Sequence, residues 1–280
     1  GLTSTGTASD GSTTAEIDIN GDVVLEANST FTTNGGNLDF SNTIASVSTA
    51  KSLTITTGGG TVGVGGDIGA TNTTDLTTIS INTNSTDTGA VTLSGNIGAA
   101  NVLGATTITI GHANTSSISL DGSAYSSDGA QTYIADAYSL GGTDPVFSTT
   151  DDNIVFTDGG GATNFVLGNA ADLTVNTNFT SAASDGNIEF KDNITIVGIN
   201  GNASQDIVLN AGSTTGTVTV AAIGTTTKEI NDVTIDAGGG ITLRGDITTQ
   251  DAGTVTLNDN VELAGTATIT IDTSDGSGGG

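Results

Sequence analysis

The 280-residue chain has no cysteine, methionine or tryptophan, one proline (Pro145), one histidine (His112), 3 tyrosines and 7 phenylalanines. Without cysteine, no disulfide can staple the fold. With aromatics at 4%, the thick core of an ordinary globular domain lacks its usual filling. Cations are as scarce: Lys51, Lys191, Lys228 and Arg244 face thirty acidic residues, for a net charge of −26. Binding to nucleic acid is thereby excluded, because phosphate neutralisation requires Lys and Arg. Anionic membrane surfaces are excluded on the same ground. No apolar run reaches the roughly 18 residues of a spanning helix, so no membrane insertion is expected. The chain opens at Gly1 without a signal-like segment, as expected of a piece of a longer protein or of one whose leader was removed.

High net charge with few aromatics is also the signature of disorder. Two features oppose that reading: charged residues are only 12% of the chain, and β-branched residues alternate with polar ones throughout. Short period-2 segments follow one another, among them Glu16-Ile-Asp-Ile19, Ser52-Leu-Thr-Ile-Thr56, Ala90-Val-Thr-Leu93, Asn153-Ile-Val-Phe156 and Thr268-Ile-Thr-Ile271. Gly, Asn and Asp, which make tight turns, bound most of them. No stretch carries an apolar period of 3.6, so helix is essentially missing.

One local pattern recurs: a small residue, apolar–x–apolar, a polar turn, then Ile or Val. It reads Gly36-Asn-Leu-Asp-Phe-Ser-Asn-Thr-Ile44, Gly89-Ala-Val-Thr-Leu-Ser-Gly-Asn-Ile97 and Gly186-Asn-Ile-Glu-Phe-Lys-Asp-Asn-Ile194. A spacing of two to three dozen residues is that of solenoid repeats. A longer period overlies it. Leu53…Val62…Ile68 aligns with Leu173…Ile188…Ile194, and Ile79…Val91…Ile97-Gly98 with Ile207…Val218…Ile223-Gly224, at offsets drifting between 120 and 128. Super-repeats of roughly five coils are expected at about 20–137 and 138–260, with a partial third unit at 261–280.

The fold expected is all-β: one continuous parallel β-helix over 1–280, of roughly a dozen short coils. Strands stack about 4.8 Å apart over a narrow aliphatic column, and Asn or Asp ladders run between coils. The competing architecture is a string of tandem antiparallel β-sandwich modules. It is opposed by the lack of proline and aromatic anchors and by the repetition inside each unit.

The segments Asp128-Gly-Ala-Gln-Thr-Tyr133, Gly186-Asn-Ile-Glu-Phe190 and Ala252-Gly-Thr-Val-Thr-Leu-Asn258 resemble the repeats of giant bacterial surface proteins, the filamentous-haemagglutinin-like adhesins. The resemblance covers almost the whole chain and is one of repeat style. It implies an exported, extracellular stalk, fibre or surface-layer element, self-associating end to end or laterally. The alternative it allows is an adhesin segment that holds a surface glycan or matrix. Neither a secretion domain nor an adhesive tip is recognisable.

No constellation of residues points to catalysis. Polysaccharide hydrolases on parallel β-helices use paired carboxylates, for which Asp151-Asp152 would serve. A polygalacturonase-like site would follow them with Gly-His-Gly, whereas His112 precedes them and is followed by Ala113. The chain is therefore read as a non-enzyme that requires no cofactor. Calcium is the one ion its chemistry suits, because turn carboxylates are hard oxygen ligands. The candidates are Asp18 and Asp22 with Asn20; Asp151, Asp152 and Asp158; and Asp272 with Asp275. None forms an EF-hand loop. Thr-x-Thr steps such as Thr54-Ile-Thr56 and Thr107-Ile-Thr109 suggest an ice-binding face, and irregular coil lengths are expected to break up such an array. Sequons such as Asn28-Ser-Thr and Asn84-Ser-Thr follow from composition alone.

Overall fold

A computed structural model describes residues 2–4, 16–47, 49–70, 75–99, 102–168, 171–179, 185–191, 193–199, 204–265 and 268–274. Among the described residues there are strands and turns and no helix. Every strand pairing is parallel; only two local bridges, Ala99–Val102 and Thr225–Lys228, are antiparallel. The described residues wind as a β-solenoid of ten coils plus a final partial one. The sandwich alternative is therefore discarded. At about 4.8 Å per coil, ten coils stack to roughly 48 Å.

Each coil has three faces, met in the order 1, 2, 3. The alternation in the sequence decides which side chains enter. In Val91–Leu93, Val91 and Leu93 are buried and Thr92 points out. Parallel, in-register pairing then turns each inward position into a column along the axis. On face 2 one column runs Ile17, Leu38, Val62, Val91, Ile118, Tyr138, Phe165, Ile196, Ile223, Ile247 and Ile271. On face 3 another runs Val23, Ile44, Ile68, Ile97, Tyr125, Phe147, Val175, Leu209, Ile235 and Leu257. Each column member supplies the apolar wall for the next, so no coil buries its inner side alone.

Along the paired strands, coil length varies from 20 residues between register partners Leu243 and Leu263 to 34 between Phe156 and Phe190. The excess is taken up at the corners, and the faces stay aligned. Outward Thr30, Thr54, Ser80, Thr109 and Thr132 consequently form one in-register column on face 1. Register therefore holds over these five coils despite their unequal lengths, and the column then continues through Val155 to Glu189.

The aromatic residues are not scattered. Tyr125, Tyr133, Tyr138, Phe147, Phe156, Phe165 and Phe190 fill the middle of the solenoid, all at 2% exposure or less. Tyr133, Phe156 and Phe190 are successive members of one face-1 column. Their rings stack at centroid spacings of 5.0 and 4.7 Å, which is the coil repeat. Phe147 and Phe165 meet Phe156 edge-on from the other two faces, at 5.2 and 4.9 Å. Offset-stacked and T-shaped pairs are the favoured aromatic arrangements. The phenols are satisfied inside: Tyr133 donates to Gln131 Oε1 (3.0 Å), and Gln131 Nε2 donates to the carbonyls of Tyr125 and Ser148. Burial pushes all three phenols well above their ordinary ionisation range.

Candidate functional site

The acidic residues of this chain gather at the corners, where the backbone leaves one ladder and enters the next. A corner N–H has no strand carbonyl opposite it, and a buried or half-buried N–H without an acceptor is costly. The residue just before the first inward position of a strand solves this with its side chain, which accepts the N–H of its counterpart one coil on. At the corner between faces 2 and 3, Asp144 Oδ1 accepts from Asp172 N (3.3 Å) and Asp172 Oδ1 from Asp206 N (2.8 Å). Asp206 Oδ1 accepts from Asp232 N (3.1 Å) and Asn231 Nδ2 (2.7 Å), and Asp232 Oδ1 from Thr254 N (2.7 Å). The other two corners use the same device: Asn153 accepts from Asn187 N and Asn187 from Thr217 N before face 1, and Asn37 from Thr61 N and Asp246 from Thr270 N before face 2.

Magnitudes explain why a file of like charges is tolerated. Two carboxylates one coil apart repel by about 1 kcal/mol in water, and salt screens that further. A hydrogen bond to a charged acceptor contributes about 1.5–3 kcal/mol. The ladder is thus favourable at each step, and the surplus charge keeps the surface soluble.

The candidate ion ligands are distributed over this framework. Asp18 points outward on face 2 and is the register partner of Asp39. Burial and the neighbouring Asp18 charge both raise the Asp39 carboxyl above its ordinary value. Asp22 is a corner ladder member, accepting from Thr43 N (3.3 Å) and Thr43 Oγ1 (2.8 Å), while Asn20 Oδ1 accepts from Ser41 Oγ (2.9 Å). Asp151 and Asp152 lie at the corner entering strand Ile154–Asp158, and Asp158 closes that strand at the opposite corner. Four residues of extended chain, about 13 Å, separate Ile154 from Asp158, so Asp158 is not brought together with the pair. His112 sits two coils earlier, past the far end of its own face-1 strand, and its N–H is held by Thr115 Oγ1 (2.9 Å). Asp272 accepts from Ser274 N and Oγ, which hold its carboxyl below its ordinary value; Asp275 lies outside the described residues. Among the described residues, no three His, Cys, Asp or Glu side chains converge.

Two carboxylates that sequence reasoning passed over are the most enclosed. Asp87 accepts from Gly58 N (2.9 Å) and Asn84 N (3.0 Å) and is fully buried. Asp185, also buried, accepts from Thr214 N (2.8 Å), Thr214 Oγ1 and Thr215 N. Burial opposes its charge, but these hydrogen bonds prevail and hold the carboxyl below its ordinary value. Both pin a corner loop to the preceding coil. Their only sequence signal is an Asp two residues before a Gly or adjacent to one, which this Gly-rich chain offers many times.

The concavities are shallow. One of about 440 Å³ lies on face 2, lined by Asp39, Thr61, Gly63 and Thr92; another of about 500 Å³ lies at a corner, lined by Thr32, Asn34, Thr56 and Thr86. In comparisons with known proteins, no family model, no characterised protein and no solved structure matches the chain.

Proposed function

We propose that the chain is an extracellular structural element, a β-solenoid stalk, fibre or surface-layer segment that associates end to end or laterally, akin to filamentous-haemagglutinin-like repeats. One observation carries the reading: the side-chain oxygens at the corners are spent on joining coil to coil, and the inward columns run the length of the shaft. Such a molecule resists pulling and bending through its backbone ladders and has little need of a pocket. Calcium, on this reading, is a surface neutraliser of carboxylates such as Asp18 on face 2 and Asp151 and Asp152 at a corner. Electron microscopy of the native material tests the proposal: rods with a strand-spacing reflection along their axis support it, and dispersed compact particles that never align oppose it. Binding isotherms with calcium, compared with magnesium, test the ion.

A second reading, an adhesin segment that holds a neutral carbohydrate or partner surface, is favoured by face 1. Over five coils, from Thr30 to Thr132, its outward column is Thr and Ser without one carboxylate, before Val155 and Glu189 continue it, in a chain of charge −26. Binding to a glycan array that disappears with Thr54→Asp and Thr109→Asp supports this reading, and binding indifferent to them opposes it.

A further inference from the structure

The long sequence period and the three-faced winding are out of step. Leu53, Val62 and Ile68 lie on faces 1, 2 and 3, whereas their sequence counterparts Leu173, Ile188 and Ile194 lie on faces 3, 1 and 2. Ile79, Val91 and Ile97 shift in the same sense, to Ile207, Val218 and Ile223. Ile108 and Ile118 continue it, matching Val233 on face 3 and Ile241 on face 1. Counting from Lys51–Thr56 inclusive up to Leu173–Asn176, the described residues make twelve strands and two single-residue ladder steps, Ile68 and Ile97. That is fourteen face positions, one short of five whole coils.

Several local features recur at the sequence match on a different face; the glycine turn also recurs on face 3 one coil earlier, where Gly69 (φ 62°) donates to Ile44 O (2.9 Å). Ile97-Gly98 on face 3 and Ile223-Gly224 on face 2 both turn through a positive-φ glycine, at 75° and 70°. Each glycine donates its N–H to the inward Ile one coil back, Gly98 to Ile68 (2.8 Å) and Gly224 to Ile196 (2.7 Å). Each is followed by a miniature antiparallel arm closed by reciprocal hydrogen bonds, Ala99 with Val102 and Thr225 with Lys228. Upstream, Thr57 Oγ1 donates to Gly60 O (2.5 Å) and Thr177 Oγ1 to Gly186 O (2.7 Å), although the second loop is six residues longer. Gly89 lies so close over Gly60 that a Cβ would come within 1.7 Å of its carbonyl oxygen; Gly216 likewise lies over Gly186 (2.6 Å).

We infer that the chain carries a duplicated unit of fourteen face positions whose second copy is rotated back by one face about the solenoid axis. The rotation is permitted because all three faces use the same parts, a short apolar–x–apolar strand preceded by an Asx or Thr corner residue. A feature carried once per unit, such as the arm after the positive-φ glycine, therefore moves to an adjacent corner for every 4⅔ coils, about 22 Å of axial rise. Equivalent surface features spread around the shaft instead of lining one edge.

A transplant in the full-length chain tests the rotation. Replacing the arm Ile97–Val102 by its rotated counterpart, Ile223–Lys228, needs A99T, A100T, N101T and V102K. Replacing it by the segment in the same face-3 column five coils on, Ile235–Gly240, with Gly98 retained for its positive φ, needs A100G, N101G and V102G. The rotated transplant is expected to melt cooperatively within about 2 °C of the parent, and the same-face transplant to lose more than about 5 °C. Better tolerance of the same-face transplant overturns the inference. Equal tolerance of the two, or collapse of both, overturns it as well, because the rotated equivalence would then predict nothing that its absence does not.

Discussion

The tripeptide Val-Thr-Leu occurs at residues 91–93 and again at 255–257, with the same face alternation and opposite surroundings. Val91 and Leu93 are each 1% exposed, paired on one side with Val62–Val64 and on the other with Ile118–Leu120. Val255 and Leu257 are half-buried and, among the described residues, pair only with Val233–Ile235. Beyond them Leu263 is 63% exposed and Ile271 46%. An identical pattern thus sets which side chains point inward at both places, while the number of stacked neighbours sets how much water they lose. The aromatic middle is the other extreme: Phe156 contacts rings from the coil before, the coil after and both other faces.

The contrast is most sharply broken at its deepest point. Phe156→Ala is expected to destabilise the fold by about 3–5 kcal/mol, since it removes a ring that others cannot collapse onto; urea unfolding of purified variants measures it. Leu93→Ala comes next, at about 2–4 kcal/mol, whereas Leu257→Ala should cost about 1 kcal/mol or less, because little burial is there to lose. Equal costs for these two leucines would show that stacking does not govern the core.

Corner chemistry predicts smaller effects. Asp206→Ala leaves Asp232 N and Asn231 Nδ2 without their acceptor and should cost about 1–2 kcal/mol. Asp206→Asn keeps an oxygen there and should recover most of that loss in the same unfolding assay.

The smallest effects are pH-dependent and of opposite sign. Asp185 is held below the ordinary carboxyl value of 3.8, so its stabilisation is present above about that pH and is lost as pH falls through the folded value. Asp185→Asn should lower Tm at pH 7 and change it little in strong acid. Asp39 is raised by burial and by Asp18, and Asp236 by burial and by Asp259. Their contribution is complete below about 3.8 and is lost as pH rises through their folded values. Asp39→Asn should therefore raise Tm at pH 7 and leave it unchanged below about pH 3.8, by calorimetry across the two conditions.

Much of the strand order was legible in advance, because a period of two needs only local alternation to be seen. Glu16-Ile-Asp-Ile19 and Asn153-Ile-Val-Phe156 fall where strands Ile17–Ile19 and Ile154–Asp158 lie. Thr268-Ile-Thr-Ile271 is shorter than its alternation indicates, a strand only at Ile271–Asp272, with a single coil to pair against. Strand Ala124–Ser127 shows no alternation because all four residues are buried: Ser126 Oγ bonds Ser148 Oγ (2.9 Å) and reaches the carbonyl of Ala99 in the overlying arm. Gln131 is polar in the sequence, yet it sits in an inward column with no exposure. Its place depends on carbonyls and a phenol contributed by other strands. The candidate site was less legible still. Corner Asp residues are visible as a class, but which oxygens meet an N–H depends on the coil above.

By itself, then, the order of residues decided the period, the inward positions and the corners, since each follows from alternation and turn chemistry within a dozen residues. Only the wound structure decided which coil lies over which, because the corners absorb insertions that no local pattern counts. It alone set the aromatic column, the carboxylates that accept from a neighbour, and the face on which each repeat falls. Those depend on contacts between residues 20 to 34 apart in sequence, and stacking distance, not sequence distance, determines their energies.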